Sequence, residues 1–345
     1  MSKIDILSLT FSELSEIICA SGEKPFRAKQ IYDWLHVKRV KEFSEMTNIS
    51  AQKRAELDEK FCINSLKIKK RLVSRIDNTV KYLYGLSDGE AVECVLMEYK
   101  HGNSLCISTQ VGCRMGCRFC ASTIAGWVRN LEPSEMLSEI YETERDSGRH
   151  IDSIVLMGIG EPLDNFDNVV KFLKILNSDG NGMSLRHLSL STCGVVDKIY
   201  ELAKLKLGIT LSVSLHAATN EKRSEIMPIN KRFDLSELMK ACDDYFEATG
   251  RRISFEYSLI EGVNDTDESA DELIKLLGQL KFKGCHVNLI PINEVKERDF
   301  RKSRSVERFC KRLAAAGLNA TVRRTLGADI SAACGQLRRD SAGGD

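Results

Sequence analysis

The stretch VGCRMGCRFC, residues 111–120, carries three cysteines at spacings of four and three residues. They are Cys113, Cys117 and Cys120. A loop this tight brings three thiolates to one point. A closed structural zinc site takes four ligands, and neither Cys106 nor His101 has the spacing of a zinc knuckle. Three thiolates instead suit an iron–sulfur cluster with one iron left open for a substrate. We therefore expect a cluster here, with zinc as the alternative.

Strand and helix patterns alternate around this loop from about residue 104 onward. The predicted strands are SLCISTQV, IDSIVLMGIG, HLSLSTC, ITLSVSLHA, RISFEYSLI, CHVNLIPIN and ATVRRTLG. The predicted helices between them are PSEMLSEIYETERDSG, FDNVVKFLKIL, VVDKIYELAKLK, LSELMKACDDYFEATG, DESADELIKLLGQLKF and SVERFCKRLAAAG. This alternation predicts an α/β fold with parallel strands and crossover helices. About six such units form a partial (β/α)6 barrel, whose chemistry lies at the C-terminal ends of its strands.

Three other segments flank the predicted barrel, which covers residues 104–326. Residues 1–62 have helical periodicity and form a small helical accessory domain, in which Ser50 is the predicted N-cap of the last helix. This domain either packs on the barrel as a cap or contacts RNA, and the sequence leaves both alternatives open. Residues 63–103 alternate and are rich in β-branched and aromatic side chains, which predicts a short antiparallel β extension. Residues 327–345 form a C-terminal tail.

Composition places the chain among ordinary globular proteins. It has 345 residues, with 50 Lys+Arg against 49 Asp+Glu and a formal net charge of +1. This balance excludes a histone-like polycation but leaves room for a basic patch that binds RNA. No apolar run approaches the ~20 residues that span a bilayer, and no signal peptide is evident. We expect a cytoplasmic monomer without membrane contact, in which the 12 cysteines favour metal or catalytic use over disulfides.

Polar residues end several predicted strands. The motif GIGEPL closes the second strand, where Gly160 allows close backbone approach and the Glu161 carboxylate can accept from a ligand ammonium group. The other candidates are Ser191, Ser214, Leu215, His216 and Asn293. Taken alone, each of these is most simply a satisfied polar group at a strand end. Following the three-cysteine loop, however, the set resembles the radical S-adenosylmethionine (SAM) superfamily. That resemblance implies a 4Fe–4S cluster whose open iron binds SAM, and a radical derived from SAM.

The C-terminal tail narrows the resemblance from the superfamily to one of its families. Cys334, in ISAACGQL, lies outside any apolar periodicity and by itself would be an ordinary surface or packed cysteine. The motifs VGCRMGCRFC, GIGEPL, LSTCGVV, SLHA, MPIN and ISAACGQL occur in this order. Together they resemble the RlmN/Cfr family of dual-specificity RNA methyltransferases across essentially the whole chain.

The resemblance implies that an RNA adenine is methylated in two stages that use two SAM molecules per turnover. Cys334 takes a methyl group from the first, and a radical from the second removes hydrogen from that methyl group so that its carbon adds to adenine. By the same resemblance, Cys106 is the resolving thiol that forms a transient disulfide with Cys334, and Glu93 is the proton acceptor. A flavodoxin-type electron donor is also implied.

The implied substrate is carbon 2 of adenosine 2503 in 23S rRNA, and adenosine 37 of tRNAs is left open as a second substrate. Pro162 after Glu161 favours this branch over the carbon-8 branch of antibiotic resistance, which carries Ala there. Cys193 departs from the Ser or Ile expected at its position. Ten Lys/Arg against three acids in residues 296–324 favour RNA binding more weakly. The remaining alternatives are a zinc-stabilised RNA-binding protein and a radical SAM enzyme that acts on a small molecule or peptide.

Overall fold

The computed structural model describes residues 3–178, 182–282 and 284–338. Its strands are β1 (Ile4–Asp5), β2 (Phe61–Cys62), β3 (Lys67–Val73), β4 (Val80–Gly85), β5 (Ala91–Tyr99), β6 (Gly102–Cys106), β7 (Gln110–Gly112), β8 (Trp127–Asn130), β9 (Ser153–Leu156), β10 (Leu188–Thr192), β11 (Thr210–Ser214), β12 (Ile253–Leu259), β13 (His286–Pro291) and β14 (Asn319–Val322). Its helices are α1 (Phe11–Ala20), α2 (Pro25–His36), α3 (Ala51–Lys60), α4 (Pro133–Ser147), α5 (Phe166–Leu176), α6 (Val196–Lys204), α7 (Asn220–Ile226), α8 (Leu235–Thr249), α9 (Asp267–Gly278) and α10 (Val306–Ala315).

A ten-stranded sheet organises these elements, in the order β14-β13-β12-β11-β10-β9-β6-β5-β4-β3. From β6 to β14 the neighbouring strands are parallel. The strands β3, β4, β5 and β6 pair antiparallel. The predicted α/β class is therefore confirmed, with its partial barrel and antiparallel extension. The extension continues the barrel sheet, because β5 pairs directly with β6.

The barrel strands are buried because helices cover the outside of the sheet, while loops and side chains fill its inside. Every residue of β12 is buried. Local signals set the ends of the covering helices. For example, α8 begins with a capping box between Asp234 and Glu237, and it ends at Gly250, whose φ is 61°. A left-handed backbone conformation at the end of a helix favours glycine.

The N-terminal helices form as predicted and pack on the barrel. The Ser50 side chain accepts a hydrogen bond from a first-turn amide of α3, which confirms the predicted cap. Two contacts join the helices to α4 and α5. His36 Nδ1 lies 2.9 Å from the Tyr141 hydroxyl, and Lys171 Nζ lies 2.8 Å from Glu13 Oε1. No helix in the described ranges is long and apolar enough to cross a membrane.

The local elements that were not predicted include α7, the β7–β8 hairpin and the parallel pairing of β1 with β2. The hairpin leads directly into the three-cysteine loop. Gly112 in β7 has a φ of 73°, and a Cβ atom there would overlap the carbonyl oxygen of Gly126. The hairpin therefore closes only with glycine at this position.

Candidate active site

A cavity of about 150 Å³, named the reaction cavity below, lies at the C-terminal ends of the barrel strands. The predicted site residues that line it are Cys113, Cys117, Cys120, Gly160, Glu161, Ser191, Ser214, His216, Asn293 and Cys334. They come from the three-cysteine loop, the ends of four strands and the C-terminal tail. Because parallel strands end at one edge of the sheet, residues far apart in the chain meet there.

Three predicted residues are not among those lining this cavity. Leu215 is fully buried in the core, where its amide donates to the Glu256 carbonyl over 3.0 Å. Cys106 lines a neighbouring cavity. Glu93 forms an ion pair with Lys81.

The three-cysteine loop is held by a side chain that follows it in the sequence. The Thr123 hydroxyl donates to the carbonyls of Cys117, over 3.2 Å, and Cys120, over 2.9 Å. The Phe119 ring meets the His216 ring edge-on, with centroids 4.8 Å apart. An aromatic side chain next to the last cysteine of the loop therefore packs on a residue at the end of β11.

The thiols of the loop suit metal cations as partners. Burial raises the pKa of Cys113 to about 12, and it also raises the pKa values of Cys117 and Cys120. Within the described part of the chain, no three His, Cys, Asp or Glu side chains are placed to hold one metal ion. The three sulfurs nonetheless share one cavity, and thiolates buried there require cationic neighbours. This donor set fits an iron–sulfur cluster with three cysteine ligands.

Glu161 is anchored by backbone amides. Its Oε1 accepts from Leu163 N–H over 3.0 Å, and its Oε2 accepts from Cys193 N–H over 2.7 Å. Burial raises the pKa of Glu161. The preceding Gly160 has a φ of 110°, and a Cβ atom there would lie 2.7 Å from Gln110 Cβ. Packing against a protein neighbour therefore requires this glycine, whereas the sequence argument assigned it to ligand approach.

His216 is held as a neutral imidazole. Its Nδ1 accepts from the Ser258 amide over 2.9 Å, so the ring proton lies on Nε2. Burial lowers the pKa of His216 to about 3. Its φ of 57° is uncommon for a residue other than glycine, and such backbone strain is concentrated at functional sites. His216 thus offers a hydrogen-bond donor to the cavity it lines.

A buried arginine ties the strand ends together. Arg223 on α7 is fully buried, and its guanidinium donates to three carbonyls and one side-chain amide. These are the carbonyls of Leu215 at 3.1 Å, Cys193 at 2.7 Å and Ser214 at 3.1 Å, and Asn230 Oδ1 at 3.0 Å. The sequence gives no local sign of this role, because Arg223 lies in the polar stretch NEKRSEI.

The tail places Cys334 between two cavities. Cys334 lines the reaction cavity and also the neighbouring cavity that contains Cys106. Its carbonyl accepts from Asn293 Nδ2 over 3.0 Å. Neither thiol forms a disulfide. Burial raises the pKa of Cys106 to about 12.

Two charged residues near Cys334 were not predicted. Arg323 lines both cavities, and its electrostatic interaction with Cys334 is the largest cause that raises its pKa. Glu256 lines the reaction cavity and accepts from Asn288 Nδ2 over 2.7 Å. Both could have been noticed as charged residues inside predicted strands, where unpaired charges are rare.

Two family models match the chain. A ribosomal RNA large subunit methyltransferase N-terminal domain matches residues 4–63. A radical SAM superfamily model matches residues 107–277. The second match contains the three-cysteine loop and most of the strand ends that line the cavity.

Whole-chain relatives agree with these matches. A probable dual-specificity RNA methyltransferase RlmN from Lachnoclostridium phytofermentans is 54% identical over 98% of this chain and 95% of its own. A protein of the same description from Clostridium perfringens is 53% identical over 97% of this chain and 96% of its own length. A crystal structure of a radical SAM methyltransferase from Sphaerobacter thermophilus is similar with a TM-score of 0.91 and 38% identity, covering 98% of this chain and 100% of that one.

Proposed function

The chain belongs to the RlmN family of radical SAM dual-specificity RNA methyltransferases, and from this premise we propose that it methylates carbon 2 of an adenine in 23S rRNA. The proposed target is adenosine 2503, with adenosine 37 of tRNAs as a second substrate. Pro162 after Glu161 supports carbon 2 over carbon 8, on the motif resemblance described above.

The chemistry of the target explains the need for a carrier thiol. Carbon 2 of adenine is electron-poor, so it does not act as the nucleophile of an ordinary SAM methyl transfer. A covalent intermediate on a cysteine divides the methylation of this carbon into two easier steps. In the proposed scheme, Cys334 first becomes S-methylcysteine by polar displacement, and its carbon is then joined to the adenine.

The residues proposed to hold the cofactors lie at or beside the reaction cavity. Cys113, Cys117 and Cys120 would hold a 4Fe–4S cluster, and the residues that would bind SAM are Gly160, Glu161, Ser191, Ser214, Leu215, His216 and Asn293. Leu215 would act through its position in the strand end, since its side chain is in the core. When bound, the cluster and SAM supply a carbon radical that abstracts hydrogen, at a cost of two SAM molecules per turnover.

The chain's own residues then release the product. Glu93 accepts the proton from the substituted carbon. The Cys106 thiol loses its proton, and its sulfur bonds to the Cys334 sulfur as the carbon–sulfur bond to the RNA breaks. The electron pair of that bond stays on the carbon attached to the ring, which takes up a proton to become the methyl group, and a disulfide is left. That disulfide is two electrons more oxidised than two thiols, so an external thiol reductant restores it. The observation that carries this proposal is the position of Cys334, which lines one cavity with the cluster loop and another with Cys106.

The domain roles, the cellular location and the electron donor are proposed from the same family membership. We assign residues 1–62 as an accessory domain that contacts RNA, residues 63–103 as a β extension, residues 104–326 as the catalytic barrel and residues 327–345 as the carrier tail. The enzyme works as a cytoplasmic monomer and receives electrons from a flavodoxin-type donor. The target adenine leaves its stack to reach the cavity, as enzymes that act on bases generally require.

Mass spectrometry of rRNA tests the proposed function. Ribosomal RNA from a strain without this gene should lack 2-methyladenosine at the target, and the intact gene should restore it. Appearance of 8-methyladenosine instead would move the enzyme to the carbon-8 branch. Unchanged RNA in both strains would contradict the proposal.

A metal analysis tests the assigned cluster ligands. Protein purified without oxygen should contain about four irons and four sulfides per chain if the cluster is of the 4Fe–4S type, and Cys117→Ala should lose them together with all methylation. Cys285→Ala, which removes another buried thiol, is the matched control. One zinc per chain without iron or sulfide would support the RNA-binding alternative.

A further inference from the structure

A buried ion pair joins Glu93 to the neighbouring strand. Lys81 Nζ on β4 lies 3.0 Å from Glu93 Oε1 on β5, and the two side chains are only 9% and 1% exposed. The residues form a diagonal pair across the strands, since Lys81 lies opposite Val95. A charge buried this deeply needs an opposite charge beside it. Each residue therefore places a charged partner beside the other inside the protein.

The same ion pair binds the C-terminal tail on both sides of Cys334. Lys81 Nζ donates to the Ser331 carbonyl over 3.2 Å. Glu93 Oε2 accepts from Arg338 N–H over 2.8 Å. Ser331 precedes Cys334 by three residues and Arg338 follows it by four. One buried pair thus fastens both ends of the loop that carries the thiol.

Weaker contacts hold the apex of this loop. Besides the bond from Asn293 to the Cys334 carbonyl, the Gly335 carbonyl accepts from Ala121 N–H over 2.8 Å. Neutral hydrogen bonds of this kind contribute about 1 kcal/mol each. These contacts come from segments outside β4 and β5, so their loss would leave the strands that hold Lys81 and Glu93 in place.

The docked tail forms a hydrogen bond to Glu93, the predicted proton acceptor. Glu93 Oε1 faces Lys81 and Oε2 holds the Arg338 amide, and Glu93 is not among the residues that line the reaction cavity. The Arg338 amide covers Oε2, so its departure opens this oxygen to a proton from RNA. Arg338 lies only four residues after Cys334, so a displacement of Cys334 would move this amide, whereas Lys81 stays in the sheet.

We propose that Lys81 is a positioning residue for the proton transfer, which holds the Glu93 carboxylate in its orientation once the Arg338 amide has left it. The docked tail therefore blocks Glu93, and the displaced tail exposes it beside the adduct. In this step the bond between carbon 2 and its hydrogen breaks, the electron pair remains in the ring, and the proton moves to Glu93 Oε2. The transfer itself involves no gain or loss of electrons. This inference rests on the proposed function.

The test follows three products of the full-length enzyme with its cluster, RNA, SAM and a reductant. They are S-methyl-Cys334 by intact mass, the covalent RNA–protein adduct on denaturing gels, and 2-methyladenosine by mass spectrometry. Lys81→Met should still form S-methyl-Cys334 and the adduct, while 2-methyladenosine falls about a hundred-fold, as expected for a misplaced proton acceptor. Lys81→Arg should recover much of the product, because it restores the charge.

Two comparisons separate positioning from general destabilisation. Lys275→Met removes an exposed lysine on α9 and should behave as wild type. The double variant Lys81→Met/Glu93→Gln removes both buried charges, so it remains informative if Lys81→Met alone does not fold. It should show the same defect as Glu93→Gln, because Lys81 acts through Glu93.

The outcomes are distinct. Normal product release by Lys81→Met overturns the inference, as does a double variant that is clearly worse than Glu93→Gln. A wild-type enzyme that makes no 2-methyladenosine overturns the proposed function instead.

Discussion

Cys106 and Cys334 line one small cavity directly behind the reaction cavity, and neither is engaged in a disulfide. They are separated in the chain by the whole barrel. The cavity around them is mainly apolar, with Val95, Met97 and Leu337 in its wall. The Cys334 thiol therefore shares this cavity with a second thiol, that of Cys106.

This relationship predicts the behaviour of Cys106→Ala. The variant should form S-methyl-Cys334 and attach to RNA, but it should not release the product, so RNA remains covalently bound through Cys334. Denaturing gels before and after ribonuclease treatment measure the attachment. Cys94→Ala, a buried thiol on β5, should turn over as wild type. Normal turnover of Cys106→Ala would assign the resolving role to another group.

Two glycines of the β7–β8 hairpin should respond differently to alanine. Both have positive φ, 73° at Gly112 and 71° at Gly126, so each substitution costs about 1 kcal/mol in backbone strain. Nothing lies within 4 Å of a Cβ atom at Gly126, whereas one at Gly112 would overlap the Gly126 carbonyl. Gly112→Ala should therefore cost about 3 kcal/mol in total. Urea unfolding of the two variants measures the difference, and equal losses would argue against the hairpin geometry.

Arg223 should be a major source of stability. Arg223→Met leaves buried carbonyls at the ends of β10 and β11 without their donor, which costs about 3 kcal/mol or more. Arg223→Lys should recover little, because an ammonium group does not reproduce the planar fork of donors. Arg232→Met is the control, since that side chain is 65% exposed in its ion pair, and it should stay within about 0.5 kcal/mol of wild type. Thermal and urea unfolding measure these differences.

His36 should make stability depend on pH. Burial lowers the pKa of this histidine from 6.5 to about 3. Between these values the unfolded chain binds a proton that the folded chain does not. The free energy of unfolding therefore falls as the pH drops below about 6.5, by up to about 1.4 kcal/mol per pH unit.

The comparison with His36→Gln isolates this contribution from other titrating groups. Between pH 7 and pH 5, wild type should lose about 2 kcal/mol more than the variant. Urea unfolding at several pH values gives the two slopes. Parallel slopes would show that His36 titrates normally in the folded protein.

Much of the fold was predictable from short stretches of sequence. The alternating patterns predicted the strands and helices of the barrel, and Ser50 predicted the start of α3. The reason is that periodicity and caps depend on residues within a few positions of each other. The three-cysteine loop was visible for the same reason, as its spacing is a property of eight residues.

Other features lay beyond any local pattern. Arg223 reads as a surface residue of a polar helix, yet it is buried against the strand ends. Gly160 is predicted as a ligand contact and lines the cavity, but its close packing against Gln110 was not predicted. In both places, what surrounds the residue is contributed by chain segments that are distant in sequence.

By itself, the sequence determined that three thiols follow the first barrel strand and that polar groups end the later ones, because strand direction and residue spacing decide which edge of the sheet they reach. Only the tertiary structure decided that the tail thiol lies between two cavities and that Lys81 binds the Ser331 carbonyl 250 positions away. Those contacts depend on how the sheet extension and the tail pack over the barrel mouth. No periodicity encodes that packing, since it arises only when the distant segments bury a common surface.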